Sequence, residues 1–167
     1  MSNINSQQYW DQRFASGKWD NRGRVQTQEY AKSNIKIINI ASDFKGTILD
    51  FGCALGDATP VYAQAYPAAK LLGIDISNSA IEICKKKYSN IAKFMCGSAD
   101  DIDYYDIIIA SHVMEHIDND KYIVRKLLDK CKELFVIVPY KEEPLYFEHV
   151  NYYDENYYDC FTVTDIK

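Results

Sequence analysis

Gly52 and Gly56 follow a short apolar segment and mark the part of this sequence best suited to bind a ligand. Residues 48–51 are typical of a buried β-strand in which Asp50 is the one polar residue, and residues 57–60 begin a helix. Glycine accepts positive φ and lets the backbone approach a ligand closely. A helix N-terminus adds unpaired N–H groups and a dipole that favours anionic groups. The pattern therefore predicts a ligand-binding turn.

A dinucleotide is disfavoured as the ligand of this turn. Its fingerprint requires glycine at the first, third and sixth positions. Counted from Gly52, the third position is Ala54 and the sixth is Asp57. An acid at the helix N-terminus would repel a pyrophosphate, which argues against a nicotinamide dehydrogenase.

Five short segments that are apolar almost throughout alternate with helical segments, and they would position this turn. The predicted strands are 47–51, 71–75, 93–96, 105–110 and 133–138. The predicted helices are 25–40, 57–66, one capped by Ser77 or Ser79, and one from Asp118 or Asp120 to Cys131. Continuous apolar strands separated by helices indicate a parallel sheet covered on both faces. Right-handed crossovers make such a sheet a doubly wound α/β fold that binds ligands at the carboxyl ends of its strands.

Composition limits the partners of the chain. With 167 residues, 47% of them hydrophobic, the chain is expected to fold as one domain. The net charge of −5 argues against a nucleic-acid partner, which usually requires a basic face. No apolar run approaches the roughly 20 residues that span a bilayer, so we expect no membrane partner.

The N-terminal residues and the cysteines predict a cytoplasmic protein. The first residues lack the basic-then-apolar pattern of a signal peptide. The five cysteines are odd in number and form no C-x-x-C pair, which argues against a disulfide framework and a zinc site. The sequence therefore predicts no metal ligands.

The residues around the turn resemble motif I of the class I S-adenosylmethionine-dependent methyltransferases. Leu49, Asp50, Gly52, Cys53 and Gly56 match the motif, and Ala54 replaces its central glycine. The resemblance extends roughly from residue 9 to residue 150. It implies a Rossmann-like three-layer sandwich with a mostly parallel sheet of strand order 3-2-1-4-5.

The resemblance also implies which residues hold S-adenosylmethionine as the cofactor. Asp75 would accept both ribose hydroxyls, and Ile76 would pack on the adenine. Ser98 would accept from the adenine amino group, with the Ala99 N–H facing the ring, and the backbone at Ser111 would meet the methionine end. The full set is Asp50, Phe51, Gly52, Cys53, Ala54, Gly56, Asp75, Ile76, Ser98, Ala99 and Ser111.

The predicted methyl acceptor is an oxygen or nitrogen atom of a small molecule, reached by in-line displacement. Enzymes that methylate nucleic-acid bases carry an Asn/Asp-Pro-Pro-aromatic motif after the fourth strand, where this chain has Ala-Ser-His-Val at 110–113. Most of the reduction in the activation barrier can come from positioning the two reactants. A general base is required only for a poor nucleophile such as a hydroxyl. His112 and His149 are the predicted bases, and His116 is expected to be structural.

We expect one domain, 1–167, with three parts. Residues 1–45 would cover the cofactor cleft, with Tyr9, Trp10 and Arg13 closing it. Residues 46–139 would form the cofactor-binding core, and the Tyr-rich residues 140–167 would face the acceptor. Related enzymes usually add two edge strands after the fifth, which we expect to be shortened or absent here. The alternative function is therefore a non-catalytic S-adenosylmethionine-binding protein, or a subunit completed at that sheet edge by a homodimer or another partner.

Overall fold

The computed structural model describes residues 3–19 and 22–163, which form five strands and five α-helices. The strands are β1 (Thr47–Phe51), β2 (Lys70–Asp75), β3 (Lys93–Cys96), β4 (Tyr105–Ser111) and β5 (Cys131–Ile137). The helices are α1 (Gln7–Ala15), α2 (Gly23–Ile38), α3 (Thr59–Ala65), α4 (Asn78–Tyr88) and α5 (Asp120–Leu128). One short 3₁₀ helix covers Met114–His116.

The strands form one parallel sheet with the order β3-β2-β1-β4-β5. The central strand β1 pairs with β2 and β4, so that Leu49 lies opposite Leu72 on one side and Ile108 on the other. The predicted doubly wound α/β fold and its strand order are confirmed. Among the residues described up to 163, no strand follows β5.

Alternate residues of the central strands point into two separate apolar layers. Ile48 and Ile109 pack in a cluster with α2 and α3, whereas Leu49 and Ile108 pack in a cluster that includes Leu127 of α5. The sheet is therefore covered on both faces, which explains why its strands are apolar throughout.

Helix α1 is attached to the N-terminus of α4 by one carboxylate. Asp11 Oδ1 accepts hydrogen bonds from the Ser77 hydroxyl at 2.8 Å and from the Ser79 N–H at 2.9 Å. Burial acts to raise the pKa of Asp11, but these hydrogen bonds outweigh it and lower the pKa. Ser77 is the N-cap and accepts from the Ala80 N–H, so the alternative cap at Ser79 was wrong because Ser79 lies inside α4.

The segment after β5 has no regular structure but is fixed by hydrogen bonds to the 3₁₀ helix. The Val150 N–H donates to the Glu115 carbonyl at 2.8 Å, and the Asn151 amide donates to the Met114 and Ile117 carbonyls.

The predicted helix ending at Cys131 was too long, because α5 ends at Leu128 and Cys131 begins β5. None of the helices in the described residues has the length and apolarity needed to cross a membrane.

Candidate functional site

A cleft of about 140 Å³ lies at the carboxyl ends of β1, β2 and β4, where a parallel α/β sheet is expected to bind ligands. Side chains of α1 and the segment after it cover one side. The predicted site residues in its wall are Phe51, Gly52, Ala54, Asp75, Ile76 and His112.

The turn after β1 is held tightly against β2. The N–H groups of Gly52 and Cys53 both donate to the Ile74 carbonyl, at 2.8 and 2.9 Å. Gly52 has φ +74°, and a Cβ atom there would lie 2.2 Å from Cγ2 of Val113. Position 52 therefore accepts only glycine. Ala54 also has positive φ, +46°, a conformation that costs an ordinary residue about 1–2 kcal/mol.

Asp75 connects this turn to the end of β2. Its Oδ2 accepts the Ala54 N–H at 2.9 Å and its Oδ1 accepts the Ser77 N–H at 2.8 Å. Burial raises the pKa of Asp75 to about 6, although the two N–H donors oppose the shift. An ionised carboxylate has about four acceptor positions, so two remain for hydroxyl donors of a ligand in the cleft.

Asp50 is a second buried acid on the neighbouring strand. Burial, together with the charge of Asp75, raises the pKa of Asp50 to about 7. Its Oδ2 has no hydrogen-bond partner within residues 3–19 and 22–163. A buried acceptor without a donor is energetically unfavourable. Asp50 is not in the wall of the cleft but lines a separate small cavity with Thr59 and Tyr62 of α3.

Three of the predicted cofactor residues support the site from behind instead of lining it. Cys53 packs with Cys84 in the apolar cluster under α4, and Gly56 approaches the same cysteine so closely that a Cβ would lie 3.0 Å from its Sγ. Ala99 is buried in the cluster under α5.

Two more predicted cofactor residues make hydrogen bonds within the protein. The N–H and hydroxyl groups of Ser98 both donate to Asp101 Oδ2, at 2.8 and 2.9 Å. Ser111 accepts the Asn34 amide at 2.9 Å, which joins the end of β4 to α2. Neither side chain is in the wall of the cleft.

Aromatic residues of the N-terminal segment line one side of the cleft. Trp10, Phe14 and Trp19 contribute to its wall and pack on one another, with the rings of Trp10 and Phe14 stacked at 5.6 Å. The sequence analysis named Trp10 as a residue that closes the site but did not include Phe14 and Trp19, although all three share one short polar segment.

Tyr9 and Arg13, also predicted to close the site, instead bind the buried Glu148. Arg13 Nε lies 2.8 Å from Glu148 Oε1, and the Tyr9 hydroxyl donates to the same oxygen. Glu148 is only 2% exposed. The sequence analysis missed this acid because its partners are far from it along the chain, 135 residues in the case of Arg13.

His112 is paired with another buried acid that the sequence analysis did not single out. Its Nδ1 lies 3.3 Å from Glu115 Oε1, and its ring stacks on Tyr30 at 3.9 Å. A carboxylate in this position orients an imidazole and stabilises its protonated form, which is the arrangement required of a general base. The spacing His-x-x-Glu was the available sequence signal.

The other two histidines also lie close to Glu115, with one ligand atom of each within 4.8 Å of a Glu115 carboxylate oxygen. His116 lines the cleft, its Nδ1 lies 3.1 Å from the Glu148 carbonyl, and burial lowers its pKa. His149 Nδ1 lies 2.5 Å from Glu142 Oε2. The rings of His116 and His149 meet edge to face at 5.0 Å. The structure therefore brings all three histidines around Glu115.

Comparison with known proteins identifies the family of domains that this chain resembles. Residues 48–135 match the family described as "Methyltransferase domain". Two curated relatives are malonyl-[acyl-carrier protein] O-methyltransferases. The one from Priestia megaterium is 27% identical over 89 residues, covering 51% of this chain and 32% of the relative. The one from Anoxybacillus flavithermus is 29% identical over 91 residues, covering 52% and 35%.

Solved structures share the fold. A plantazolicin methyltransferase in complex with SAH superposes with a TM-score of 0.60 at 23% identity, covering 75% of this chain and 52% of that one. A coclaurine N-methyltransferase bound to N-methylheliamine and SAH gives a TM-score of 0.57 at 19% identity, covering 74% and 41%. The chain spans about a third of the length of the two curated relatives above.

Proposed function

The chain belongs to the methyltransferase-domain family, and on this premise we propose that it transfers a methyl group from S-adenosylmethionine to an oxygen or nitrogen atom of a small molecule. The observation that carries the proposal is the arrangement of the cleft. The turn at Gly52, the carboxylate of Asp75 and the side chain of His112 line the same cleft, and His112 is paired with the buried Glu115.

The ribose and adenine of the cofactor would be held by the ends of β2 and β3. Asp75 keeps acceptor positions for ribose hydroxyls after accepting the Ala54 and Ser77 N–H groups. Ile76 is 37% exposed and lines the cleft, which suits packing against a purine face. Ser98 and Ala99 remain the proposed contacts of the adenine edge.

The methionine end would lie against the glycine turn and the end of β4. Phe51, Gly52 and Ala54 line this part of the cleft. Asp50, which precedes Phe51, has a buried oxygen without a donor among the residues described, and this supports its proposed role as an acceptor for the ammonium group. Cys53, Gly56 and Ser111 would act by fixing the backbone of this region.

His112 would act as the general base for a hydroxyl acceptor. The cofactor supplies an electrophilic methyl group on a sulfonium. With Nδ1 against Glu115, the Nε2 atom of His112 is left to take the acceptor proton, and the buried carboxylate stabilises the imidazolium. His149 is the second proposed base. The rate contribution of such a base is about 10²–10⁴-fold.

The three parts of the domain would have different roles. Residues 1–45 would cover the cleft and exclude water, which Trp10 and Trp19 support by lining it. Residues 46–139 would bind the cofactor, and residues 140–167 would face the acceptor. We propose a cytoplasmic protein that binds neither nucleic acid nor membranes.

A non-catalytic cofactor-binding subunit is the second candidate. The observation that favours it is β5, one of the two edge strands of the sheet in the described residues, whose Leu134, Phe135 and Val136 are only half-buried. A homodimer or a partner subunit paired along β5 would cover them.

The test is calorimetry with S-adenosylmethionine, followed by transfer of its labelled methyl group to acceptors carrying hydroxyl, carboxyl or amine groups. We expect binding and a labelled product. Binding without any product, together with dimers in ultracentrifugation, would favour the second candidate. No binding at millimolar cofactor would overturn both.

A further inference from the structure

Beyond methyl transfer, we propose that Glu115, His116 and His149 form a site for one divalent transition-metal ion, with Zn²⁺ as the best match. One ligand atom from each residue lies within 4.8 Å of the others. This proposal replaces the expectation that the chain has no metal ligands, which rested on the spacing of its cysteines.

The hydrogen bonds of the two imidazoles match those of metal-binding histidines. His149 Nδ1 lies 2.5 Å from Glu142 Oε2, and His116 Nδ1 lies 3.1 Å from the Glu148 carbonyl. Each contact occupies Nδ1 and leaves Nε2 as the atom for a ligand bond. Metal-ligating histidines almost always bind a carboxylate or a backbone carbonyl through their other nitrogen.

Glu115 provides the independent observation that points to a cation. The residue is 1% exposed, and its Oε1 is paired with His112 Nδ1 at 3.3 Å. Its Oε2 is buried and has no hydrogen-bond partner in the described part of the chain. An orphaned buried carboxylate oxygen is costly, and coordination of a metal ion is one of the few ways to satisfy it.

The backbone holds the three ligands in place before any ion binds. Glu115 and His116 are adjacent in the 3₁₀ helix Met114–His116. The Val150 N–H donates to the Glu115 carbonyl at 2.8 Å, which anchors the segment carrying His149. Asn151 ties the same segment to the carbonyls at both ends of the 3₁₀ helix.

Two imidazoles and one carboxylate suit Zn²⁺ better than Mg²⁺ or Ca²⁺, which prefer oxygen ligands. Three protein ligands leave a fourth coordination position open. His116 also lines the cleft, so an acceptor oxygen could occupy that position; this last step rests on the proposed function. A bound ion would engage His149 as a ligand and leave the role of base to His112.

The test measures metal binding without cofactor, so its result is independent of methyl transfer. Protein stripped with a chelator is titrated with Zn²⁺ against a chromophoric competitor. We expect one ion per chain, a submicromolar Kd and a rise in Tm of about 5 °C with excess Zn²⁺. Mg²⁺ at the same concentration should leave Tm unchanged.

Variants then assign the ligands. His149→Ala, His116→Ala and Glu115→Gln should each weaken Zn²⁺ binding by at least tenfold, and Glu142→Gln by about tenfold or more. Glu29→Gln, a change at an exposed acid of α2, is the matched control and should bind Zn²⁺ normally. Circular dichroism checks that each variant is folded.

Co²⁺ substitution excludes binding by cysteine, because thiolate ligation gives a strong charge-transfer absorption that imidazole and carboxylate ligands lack. We expect only weak d–d bands. Three results would overturn the proposal: no stoichiometric Zn²⁺ binding, a thiolate absorption band, or unchanged affinity in the three ligand variants. Glu115, His116 and His149 would then have only a structural role.

Discussion

The imidazole of His112 lies against the carboxylate of Glu115, with Nδ1 3.3 Å from Oε1. The histidine is accessible from the cleft, whereas Glu115 is only 1% exposed. The pair therefore places an imidazole at the cleft and keeps the carboxylate buried. The interaction between them is stronger in the buried environment than it would be in water.

Replacing His112 should reduce turnover without weakening cofactor binding. His112→Asn is the suitable change, because position 112 has φ +55° and asparagine tolerates this conformation. We expect kcat for a hydroxyl acceptor to fall by about 10²–10⁴-fold. Calorimetry should give a cofactor Kd within twofold of the original. Turnover within threefold of the unmodified protein would remove His112 from the mechanism.

Replacing Asp75 should weaken cofactor binding. Asp75→Ala removes the acceptor for the ribose hydroxyls, and we expect the Kd to rise at least tenfold, equivalent to about 1.4 kcal/mol. Ligand-free stability is measured in parallel by urea unfolding, since Asp75 also accepts the Ala54 and Ser77 N–H groups. An unchanged Kd in a folded variant would contradict the proposed role.

Cofactor affinity should also depend on pH through Asp75. Burial raises its pKa to about 6, and hydroxyl donors bind the ionised carboxylate. Affinity should therefore be highest above pH 7 and should be lost as pH falls through 6, reaching about tenfold weaker binding at pH 5. The Asp75→Asn variant, which cannot ionise at this position, should lose the part of the profile centred near pH 6, whereas any part due to Asp50, whose pKa is about 7, should persist.

The ligand-free protein should lose stability as pH rises, owing to Asp50. Burial raises the pKa of this carboxyl from 3.8 to about 7, so the folded state holds its proton more tightly than the unfolded chain does. Stability from this group is complete below about pH 4 and falls as pH rises to 7. Asp50→Asn should accordingly raise the free energy of unfolding at pH 8 by about 2–4 kcal/mol relative to the unmodified protein. At pH 5 the gain should be much smaller, and equal gains at both pH values would contradict the assignment.

Arg13 and Glu148 should be strongly coupled. Arg13→Met leaves the buried carboxylate of Glu148 without its main counter-charge and should cost about 2 kcal/mol or more of stability. The double variant with Glu148→Gln should be more stable than Arg13→Met alone. The control is the exposed pair Lys32–Glu29. Its coupling energy, measured by urea unfolding in a second double-mutant cycle, should stay below about 0.5 kcal/mol. Equal coupling in the two cycles would contradict a buried pair.

The fold was readable from the sequence where the signal is local. Strands such as 47–51 and 105–110 are packed on both faces of the sheet, so their apolar composition indicates a parallel sheet. The turn at Gly52 has positive φ, as its residue type predicted. The boundary at Cys131 was misplaced, since an apolar residue there suits either the end of a helix or the start of a strand.

The site was only partly readable, because its chemistry depends on long-range contacts. Glu148 lies in a polar, Tyr-rich segment without periodicity, and nothing local indicates that Tyr9 and Arg13 reach it. The pairing of His149 with Glu142, and its approach to His116, likewise depend on how the segment after β5 folds back on the 3₁₀ helix.

The contact between Arg13 and Glu148 joins positions 135 residues apart. Closing so long a loop is entropically unfavourable, and contacts of this kind form late in folding. The strands and the glycine turn assemble from segments much nearer to each other along the chain. We therefore expect the strand ends and the glycine turn, which form the floor of the cleft, to assemble before this contact fixes the N-terminal segment to Glu148. A ligand present during folding would then meet a preformed floor.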